Sequence, residues 1–403
     1  MAYVHLEDIG ITGIAVAVPK NVINNRDLAE KFGEKHINKF IRTTGVIQRR
    51  VASEHQTASD LGLAAAQELL AKKGIDKSEI GALVFASHGP DYKRPATAYV
   101  LQKRLGLSEQ CACFDISLGC SAFVYGTQVL GGLMQVSDID KALLIVGDTN
   151  SKLINPKDES MVLLTGDAGS AILLEKKSGM HISAELVGNG EKYKTVIVPA
   201  GGMRNLHAPR QEMTFADGYD RTLYNLFMDG FGVFEYTIRE VPKIIKSFVE
   251  KESRKIDDYD YYAMHQANQY ILQQLSKRMK MSQEKMLYSI QEYGNTSSAS
   301  VPLTLCKCFG GEQEGQISVL MSGFGVGLSC GVMSSNICKK DILPIIETDQ
   351  YFEEGSKGSL RPGKRADLVI LKEDPLKALP MHLRDIRILE TVKAGKTIYR
   401  TDI

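Results

Sequence analysis

Residues 114–126 read FDISLGCSAFVYG, a short apolar run that passes through glycine and cysteine into small and apolar residues at helical spacing. Apolar runs without polar alternation, typical of strands buried on both faces, occur at 82–87, 113–116, 142–147 and 170–174. Stretches with helical spacing lie between them, at 58–72, 95–105 and 121–136. Strands that alternate with helices predict an α/β fold.

The second half of the chain repeats this order loosely. A strand candidate at 261–265 precedes helical stretches at 269–279 and 297–308 and a strand pair at 317–321 and 328–333. The repetition predicts an internal duplication, with one half at residues 1–180 and the other at 181–336. Residues 337–403 are charged and turn-rich, with short strand candidates at 366–371, 386–392 and 397–399, so a domain boundary is predicted near residue 337.

Composition excludes several classes of protein. Across 403 residues the net charge is +1, which gives no attraction to nucleic acid or to an anionic membrane. No apolar run approaches the roughly 20 residues of a membrane span, and Glu7 and Asp8 stand where a signal peptide is basic. The seven cysteines form no C-x-x-C pair and no H-E-x-x-H occurs, so we expect no metal site. Reduced thiols in a cytoplasmic protein are predicted.

Cys120 stands directly after a predicted strand and at the start of a predicted helix. A helix N-terminus offers free N–H groups and the positive end of a dipole, which lower a thiol pKa and can stabilise an oxyanion. The position therefore suits a nucleophile. By position alone, a small buried structural cysteine is an equally good interpretation.

Two further polar residues stand shortly before predicted helices. His265 ends a strand in AMHQAN (263–268), where a structural histidine is the commoner case, and Asn295 in EYGNTSSAS (292–300) is equally suited to an N-cap. The glycine run SGFGVGLSCG (322–331) lies between two strands, so a phosphate loop is a poor interpretation. A loop that brings backbone N–H groups close to a reacting carbonyl fits better.

Four ordered segments give the chain a family resemblance. DISLGC (115–120), HQAN (265–268), YGNTSSASVP (293–302) and GFGVG (323–327) resemble the β-ketoacyl-ACP synthase III group of thiolase-fold condensing enzymes, over residues 1–336. The resemblance implies a duplicated five-layer α-β-α-β-α thiolase fold and a homodimer. It implies no bound cofactor, with CoA or phosphopantetheine thioesters of an acyl carrier protein as substrates.

The resemblance also implies roles for particular residues. Cys120, His265 and Asn295 correspond to the catalytic triad, and the N–H groups of Cys120 and Gly325 to an oxyanion hole. Cys120 would accept an acyl group, and His265 and Asn295 would stabilise the enolate formed when a malonyl thioester loses carbon dioxide. Family likeness places three residues along the pantetheine channel: Asn268, Phe234 and Gly230.

Several positions depart from the family pattern and concern the substrate. The chain has no tryptophan, and Lys39 stands about where family members stack a Trp on the adenine of CoA. Tyr270 replaces an Arg that contacts the carrier protein. By the family pattern, Arg94 stands near the tip of the acyl pocket, where an aromatic residue of the dimer partner often lies. An Arg there suggests a polar or short acyl group, but a solvated charge on a loop is at least as good an interpretation. We expect a specialised relative with an unusual acyl donor or acceptor.

Three other functions remain open at this stage. An acyltransferase of the same fold would move the acyl group to oxygen or nitrogen without carbon–carbon bond formation. A hydroxymethylglutaryl-CoA synthase would need a carboxylate base near the cysteine. A non-catalytic scaffold is the third possibility.

The end of the chain has a separate resemblance. SLRPGKRADLVILKEDPL (359–376) and DIRILETVKAGKTIY (385–399) resemble the last strands of amidohydrolases. The metal barrel and its histidines are missing, so hydrolysis is not expected of this segment and a structural or accidental origin is favoured.

Overall fold

The computed structural model describes residues 2–352, 368–373, 386–393 and 396–401. The chain divides into two compact units, Met1–Tyr351 and Phe352–Ile403. The first compact unit therefore includes residues beyond 337, and the predicted domain boundary near residue 337 stays a prediction. Charge and turn signals suggested that boundary, but Ile342 is buried and the strand at Ile346–Thr348 pairs with the first strand of the chain. The predicted division near residue 180 stays a prediction.

Strands and helices alternate along the first unit. Its strands are β1 (Ala2–Pro19), β2 (Val22–Asn24), β3 (Gln48–Arg50), β4 (Ile80–Ala86), β5 (Ala112–Ile116), β6 (Lys141–Asp148), β7 (Ala168–Gly188), β8 (Val196–Ile197), β9 (Met213–Thr214), β10 (Asp220–Arg221), β11 (Phe227–Met228), β12 (Tyr261–Met264), β13 (Gln316–Gly325), β14 (Ser329–Cys338) and β15 (Ile346–Thr348). Its helices are α1 (Ala29–Phe32), α2 (Glu34–Thr44), α3 (Ala58–Lys73), α4 (Thr97–Leu105), α5 (Ala122–Gln135), α6 (Glu159–Val162), α7 (Gly230–Arg239), α8 (Val241–Lys251), α9 (Gln269–Met279), α10 (Ile290–Tyr293) and α11 (Ser300–Phe309).

The main sheet has nine hydrogen-bonded strands among the described residues and consists of two similar parts, called the first and the second sheet below, which share the long strands β1 and β7. The first sheet has the order β5-β4-β6-β7-β1, and the second continues from the far part of β7 through β14 and β13 to β12. A parallel bridge from Tyr262 to Met286 adds an outer position beside β12. Both halves thus have the same strand order, with parallel pairs followed by two antiparallel pairs. Equal topology in both halves is what a duplication produces.

Three apolar cores separate the layers of the fold. The central core joins the inner faces of both sheets to α5 and α11, which pack between them. A second core lies under α3 and α4 on the outer face of the first sheet, and a third lies under α7, α8 and α9 on the second. The order of layers is therefore helix, sheet, helix, sheet, helix. The buried runs are continuous because both faces of each sheet are covered.

The fold brings distant segments to one edge of the first unit. Parallel strands β4, β5 and β6 end beside one another, and Cys120 follows β5 at the start of α5. In the second sheet β12 ends at Met264, directly before His265, and the β13–β14 hairpin turns after Gly325. Carboxyl ends of parallel strands are where α/β folds place ligand sites.

The second unit contains three short antiparallel strands. These are β16 (Leu368–Leu371), β17 (Ile388–Lys393) and β18 (Lys396–Arg400), paired in that order. They correspond to the strand candidates at 366–371, 386–392 and 397–399, of which residues 366 and 367 lie outside the described residues. Across the described part of the chain, no helix is both long and apolar enough to span a membrane.

Candidate active site

Cys120 is a half-buried thiol between the end of β5 and the first turn of α5. Its Sγ lies 3.8 Å from Oγ of Ser297, and the Val326 N–H also points to the thiol. Burial raises the pKa of the Cys120 thiol, and the hydrogen bonds from Val326 and Ser297 only partly oppose this shift. The net direction is opposite to the lowering expected from the helix end, because loss of water dominates.

His265 is almost fully buried at the end of β12. Its Nδ1 lies 2.8 Å from Oγ of Ser300, and its ring meets the Phe324 ring edge-on at 5.5 Å. Burial lowers the pKa of His265 to about 4, with a backbone hydrogen bond at Ser297 acting in the other direction. The imidazole is therefore neutral near pH 7. With Nδ1 occupied by Ser300, Nε2 is the nitrogen left for a ligand.

Asn295 is held by hydrogen bonds on its backbone and on one side-chain atom. Its N–H donates to the carbonyl of Leu164 (2.9 Å), and its carbonyl accepts from the N–H of Gly166 (3.0 Å). Its Oδ1 accepts from the Ser297 N–H at 3.0 Å. Because Oδ1 is already used, the side-chain NH₂ group is available as a donor.

Ser297 connects the three predicted site residues. It contacts Cys120 through Oγ, Asn295 through its N–H and His265 through its backbone. Its φ of 51° is unusual for a non-glycine residue. The sequence did not single it out, since nothing distinguishes it from the neighbouring Ser298 and Ser300.

Gly325 packs directly against the nucleophile. A Cβ at this position would lie 2.8 Å from Sγ and 2.9 Å from Cβ of Cys120, and φ is +154°. Only glycine fits so close an approach in this conformation. The following residue, Val326, supplies the N–H that reaches Sγ, and the sequence prediction did not name it.

One cavity of about 320 Å³ contains Cys120, His265, Asn295 and Gly325. Its remaining lining is largely apolar and comes from Leu153, Met161, Leu164, Val196, Val198, Leu226, Met228, Val233, Ala267, Ile271, Phe324 and Val326, with His88, Asn150, Thr165, Gly230, Asn268 and Ser297. Within the described residues, no Asp or Glu lines this cavity.

The other predicted substrate-binding residues are divided between the cavity and the surface. Asn268 and Gly230 line the cavity, and Asn268 also caps α9 by accepting from the N–H of Ile271 at 2.8 Å. Phe234 stacks on Tyr270, with ring centroids 5.9 Å apart, and is not among the cavity-lining residues. Arg94 is exposed and also lies outside the lining of the cavity of its own chain.

A buried ion pair anchors one wall of the cavity. The wall includes β8 and β11, which pair with each other. Arg221 is fully buried, and its Nε–H donates to Asp158 at 2.7 Å while Nη1–H donates to Asp217 at 2.7 Å. These bonds tie the segment that leads into β11 to the start of α6. Nothing in the sequence pattern indicated this pair.

A half-buried cysteine, a neutral histidine and an available amide in one cavity of a duplicated α/β sandwich define a thiolase-fold acyltransferase. The comparisons with known proteins are more specific. A family model described as 3-oxoacyl-[acyl-carrier-protein] synthase III matches residues 114–190, and the model of its C-terminal part matches residues 249–337. The chain belongs to the β-ketoacyl-[acyl-carrier-protein] synthase III family.

Individual relatives agree with this assignment. β-Ketoacyl-[acyl-carrier-protein] synthase III of Symbiobacterium thermophilum is 34% identical over 82% of this chain and 98% of its own length. The enzyme of the same name from Streptococcus pneumoniae is 33% identical over 80% of this chain and 97% of its own length. The crystal structure of 3-oxoacyl-(acyl-carrier protein) synthase from Burkholderia xenovorans covers 86% of this chain and 99% of its own, with a TM-score of 0.79 and 33% identity.

The family resemblance and the fold class predicted from the sequence are thus confirmed. An amidohydrolase family model matches residues 347–399, as the second resemblance suggested. It overlaps the first unit at β15, so the match does not follow the boundary between the two units.

Proposed function

We propose that this acyltransferase loads an acyl group onto Cys120 and extends it by decarboxylative condensation with a malonyl thioester. The observation that supports this most directly is the meeting of Cys120, His265 and Asn295 around Ser297 in one cavity. No resident metal or cofactor is needed, because the CoA or phosphopantetheine thioester is a substrate.

The first step is transfer of the acyl group to the enzyme. Sγ of Cys120 attacks the thioester carbonyl, the bond to the carrier sulfur breaks, and the thiol proton leaves with the carrier thiol. The N–H groups of Val326 and Cys120 form hydrogen bonds at Sγ, and these two, together with the N–H of Gly325 that the family resemblance implies, are proposed to stabilise the oxyanion. A raised thiol pKa means that the proton must leave during attack rather than before it, since little thiolate is present at pH 7.

The second step forms the carbon–carbon bond. A malonyl thioester loses carbon dioxide, and the charge of the resulting enolate develops on its thioester oxygen. His265, through Nε2, and Asn295, through its NH₂ group, are positioned to donate to this oxygen, each contributing on the order of a few kcal/mol in a water-poor site. The enolate carbon attacks the acyl carbonyl, and the Cys120 thiolate leaves and takes up a proton.

Delivery of the substrate is proposed to involve an acyl carrier protein or a CoA thioester. Asn268 and Gly230 line the proposed channel for the pantetheine arm. Phe234 is proposed to border the mouth of the channel together with Tyr270. Tyr270 is 44% exposed and stands where family members have an Arg that contacts the carrier protein. Neither nucleic acid nor a membrane is proposed as a partner.

A homodimer in the cytoplasm is also proposed. β5 is the outer strand of the first sheet and, within the described residues, pairs only with β4, so its free edge can pair with a second copy. Arg94 is proposed to reach the partner's acyl pocket, as an exposed residue outside its own cavity. All seven thiols are unpaired, which supports a reducing compartment.

The cavity also bears on the rival functions. A hydroxymethylglutaryl-CoA synthase needs a carboxylate base beside the nucleophile, and none lines the cavity in the described part of the chain. The acidic side chain that acts electrostatically on Cys120 is Asp148, whose oxygens accept hydrogen bonds from Ser87, His88 and Ser298.

Intact-mass spectrometry tests the proposal. The protein is exposed to a panel of acyl-CoA and acyl-carrier donors, and the adduct mass identifies the acyl group, with Cys120→Ser as the control that gives no stable thioester. Carbon dioxide release from a malonyl thioester is measured in parallel. Asn295→Ala is expected to slow this release about 100- to 1000-fold, as loss of one oxyanion donor does, while loading of Cys120 continues.

Two results would contradict the proposal. Failure of every donor to load Cys120 would remove the enzyme mechanism and favour a scaffold. Loading followed by ester or amide formation, without carbon dioxide release, would instead identify an acyltransferase that makes no carbon–carbon bond.

A further inference from the structure

Three neighbouring parallel strands of the first sheet end beside the cavity in polar residues. Ser117 follows β5, His88 stands just beyond β4, and Asn150 stands just beyond β6. Because β4 pairs with both β5 and β6, His88 lies between the strand end that leads to Cys120 and the one that leads to Asn150. We call His88, Ser117 and Asn150 the strand-end cluster.

His88 borders the nucleophile segment. Its Nδ1 lies 3.4 Å from Oγ of Ser117, and its backbone N–H donates to Asp148 at 3.2 Å. A Cβ built on Gly119 would lie 3.3 Å from Nε2 of His88 and 3.5 Å from Oγ of Ser297. The Nε2 side of the ring therefore faces the space beside Cys120. Within the described residues, Nε2 has no hydrogen-bond partner.

Asn150 contributes a second unpaired polar group. Its side chain lines the same cavity, and it makes no hydrogen bond with the rest of the described chain. Neighbouring lining residues include the apolar Leu153 and Met161. His88 is exposed and Asn150 half-buried, so water reaches both groups in the free protein, and both remain available to hydrogen-bond a polar group on a ligand in this largely apolar cavity.

The charges around the strand-end cluster disfavour an anionic group on the ligand. His88 is exposed, yet packing around its ring lowers its pKa, and Asp148 offsets this shift only in part. The imidazole is thus uncharged at pH 7. Asp148, whose Oδ1 accepts from the His88 N–H, is buried and also accepts hydrogen bonds from Ser87 and Ser298. No Lys or Arg lines the described cavity, so a carboxylate on the ligand would have no counter-charge.

We propose that His88 and Asn150 bind a hydroxyl group on the acyl chain carried by Cys120 and so select a short hydroxyacyl thioester as the donor. An imidazole and a primary amide offer both donors and acceptors, and a hydroxyl is also both. A plain alkyl chain would displace water from both side chains without replacing its hydrogen bonds, which disfavours it. The inference rests on the proposed loading of Cys120 and adds the chemical class of the acyl group.

Loading rates with matched donors test this selection. N-Acetylcysteamine thioesters of butyrate, 3-hydroxybutyrate and succinate are compared by the rate of Cys120 adduct formation in intact-mass spectra of the full chain. The unaltered protein is expected to favour the hydroxyacyl donor over the butyryl donor by about tenfold, which corresponds to one net hydrogen bond. His88→Leu and Asn150→Leu are each expected to reduce this ratio toward one. His181→Leu, an exposed histidine outside the cavity, is the matched control and keeps the parent ratio.

The ratio in the unaltered protein is decisive even if a variant fails to fold. A preference for butyryl or for succinyl, or a ratio that both leucine variants leave unchanged, overturns the hydroxyacyl assignment while loading of Cys120 still stands. Absence of any adduct with all three donors and with the carrier-linked panel overturns the proposed function itself, so the two failures are distinguishable.

Discussion

Gly325→Ala is a small change placed directly against the nucleophile. The added Cβ would lie 2.8 Å from Sγ and 2.9 Å from Cβ of Cys120. Carbon atoms normally approach to about 3.5–4.0 Å, so both contacts are far too short. Rotation of the thiol relieves the contact with Sγ only, and the contact with Cβ can be relieved only by movement of the backbone. The φ of +154° adds strain of about 1–3 kcal/mol for a non-glycine residue.

The expected result separates catalysis from stability. Overpacking costs about 1–3 kcal/mol in addition to the backbone strain, which lowers Tm but leaves the sandwich folded. The same displacement moves Sγ relative to the Val326 N–H, and an error of about 1 Å in a reacting group can lower the rate about 100-fold. We therefore expect a loading rate about 100-fold below that of the parent. The rate of Cys120 adduct formation and a thermal melt measure the two effects separately.

Gly132→Ala is the control. Gly132 lies on α5, the helix that Cys120 precedes, and a Cβ there meets no atom within 4 Å. Alanine in a helix is more stable than glycine by about 0.5–1 kcal/mol, so this variant should load normally and melt slightly higher. Loading of Gly325→Ala at the parent rate, with a normal Tm, would refute the close approach on which the reasoning depends.

Three further predictions concern stability and the extent of the catalytic unit. The pKa of His265 is lowered to about 4 in the folded protein, so between pH 6.5 and 4 this residue binds a proton when the chain unfolds. The free energy of unfolding should therefore fall by up to about 3 kcal/mol as the pH drops through this range. Thermal melts over the same pH range should show a smaller decrease for His265→Gln. Asp158→Ala leaves the buried Arg221 without one partner and should lower the free energy of unfolding, measured by urea titration, by about 3–5 kcal/mol. Lys157→Ala breaks an exposed ion pair and should lower it by under about 1 kcal/mol. A chain that ends at Tyr351 should keep the parent loading rate and Tm. A chain that ends at residue 339 lacks β15 and should have a lower Tm. Equal Tm values for the two truncated chains would show that β15 does not stabilise the sheet.

Several features could be predicted from the sequence because they depend on local patterns. Continuous apolar runs and helical spacing indicated the strands and helices of both halves, since burial on both faces leaves no polar alternation. The four ordered motifs also gave the family, which the relatives confirm. Cys120 and His265 could be singled out because each follows a strand and precedes a helix, and Asn295 because it stands in a turn before a helix. Each had an ordinary structural alternative, and the family motifs assigned all three to the site.

Other features depend on residues far apart in the chain. Ser297 is one of several similar serines, and only its contact with Cys120 across the two halves gives it a position in the site. The upward shift of the thiol pKa follows from burial, which a sequence does not contain. The end of the first unit at Tyr351 depends on pairing between β15 and β1, and charge in the intervening segment concealed it.

The sequence by itself determined the order of elements, the duplication and the identity of the candidate nucleophile, because these are written in short-range spacing and in motifs. Only the tertiary structure decided which polar groups share the cavity, which of them have no partner and how burial shifts their protonation. These properties arise when strand ends from both halves meet around one cavity, and desolvation and hydrogen bonding there act between residues that are more than a hundred positions apart.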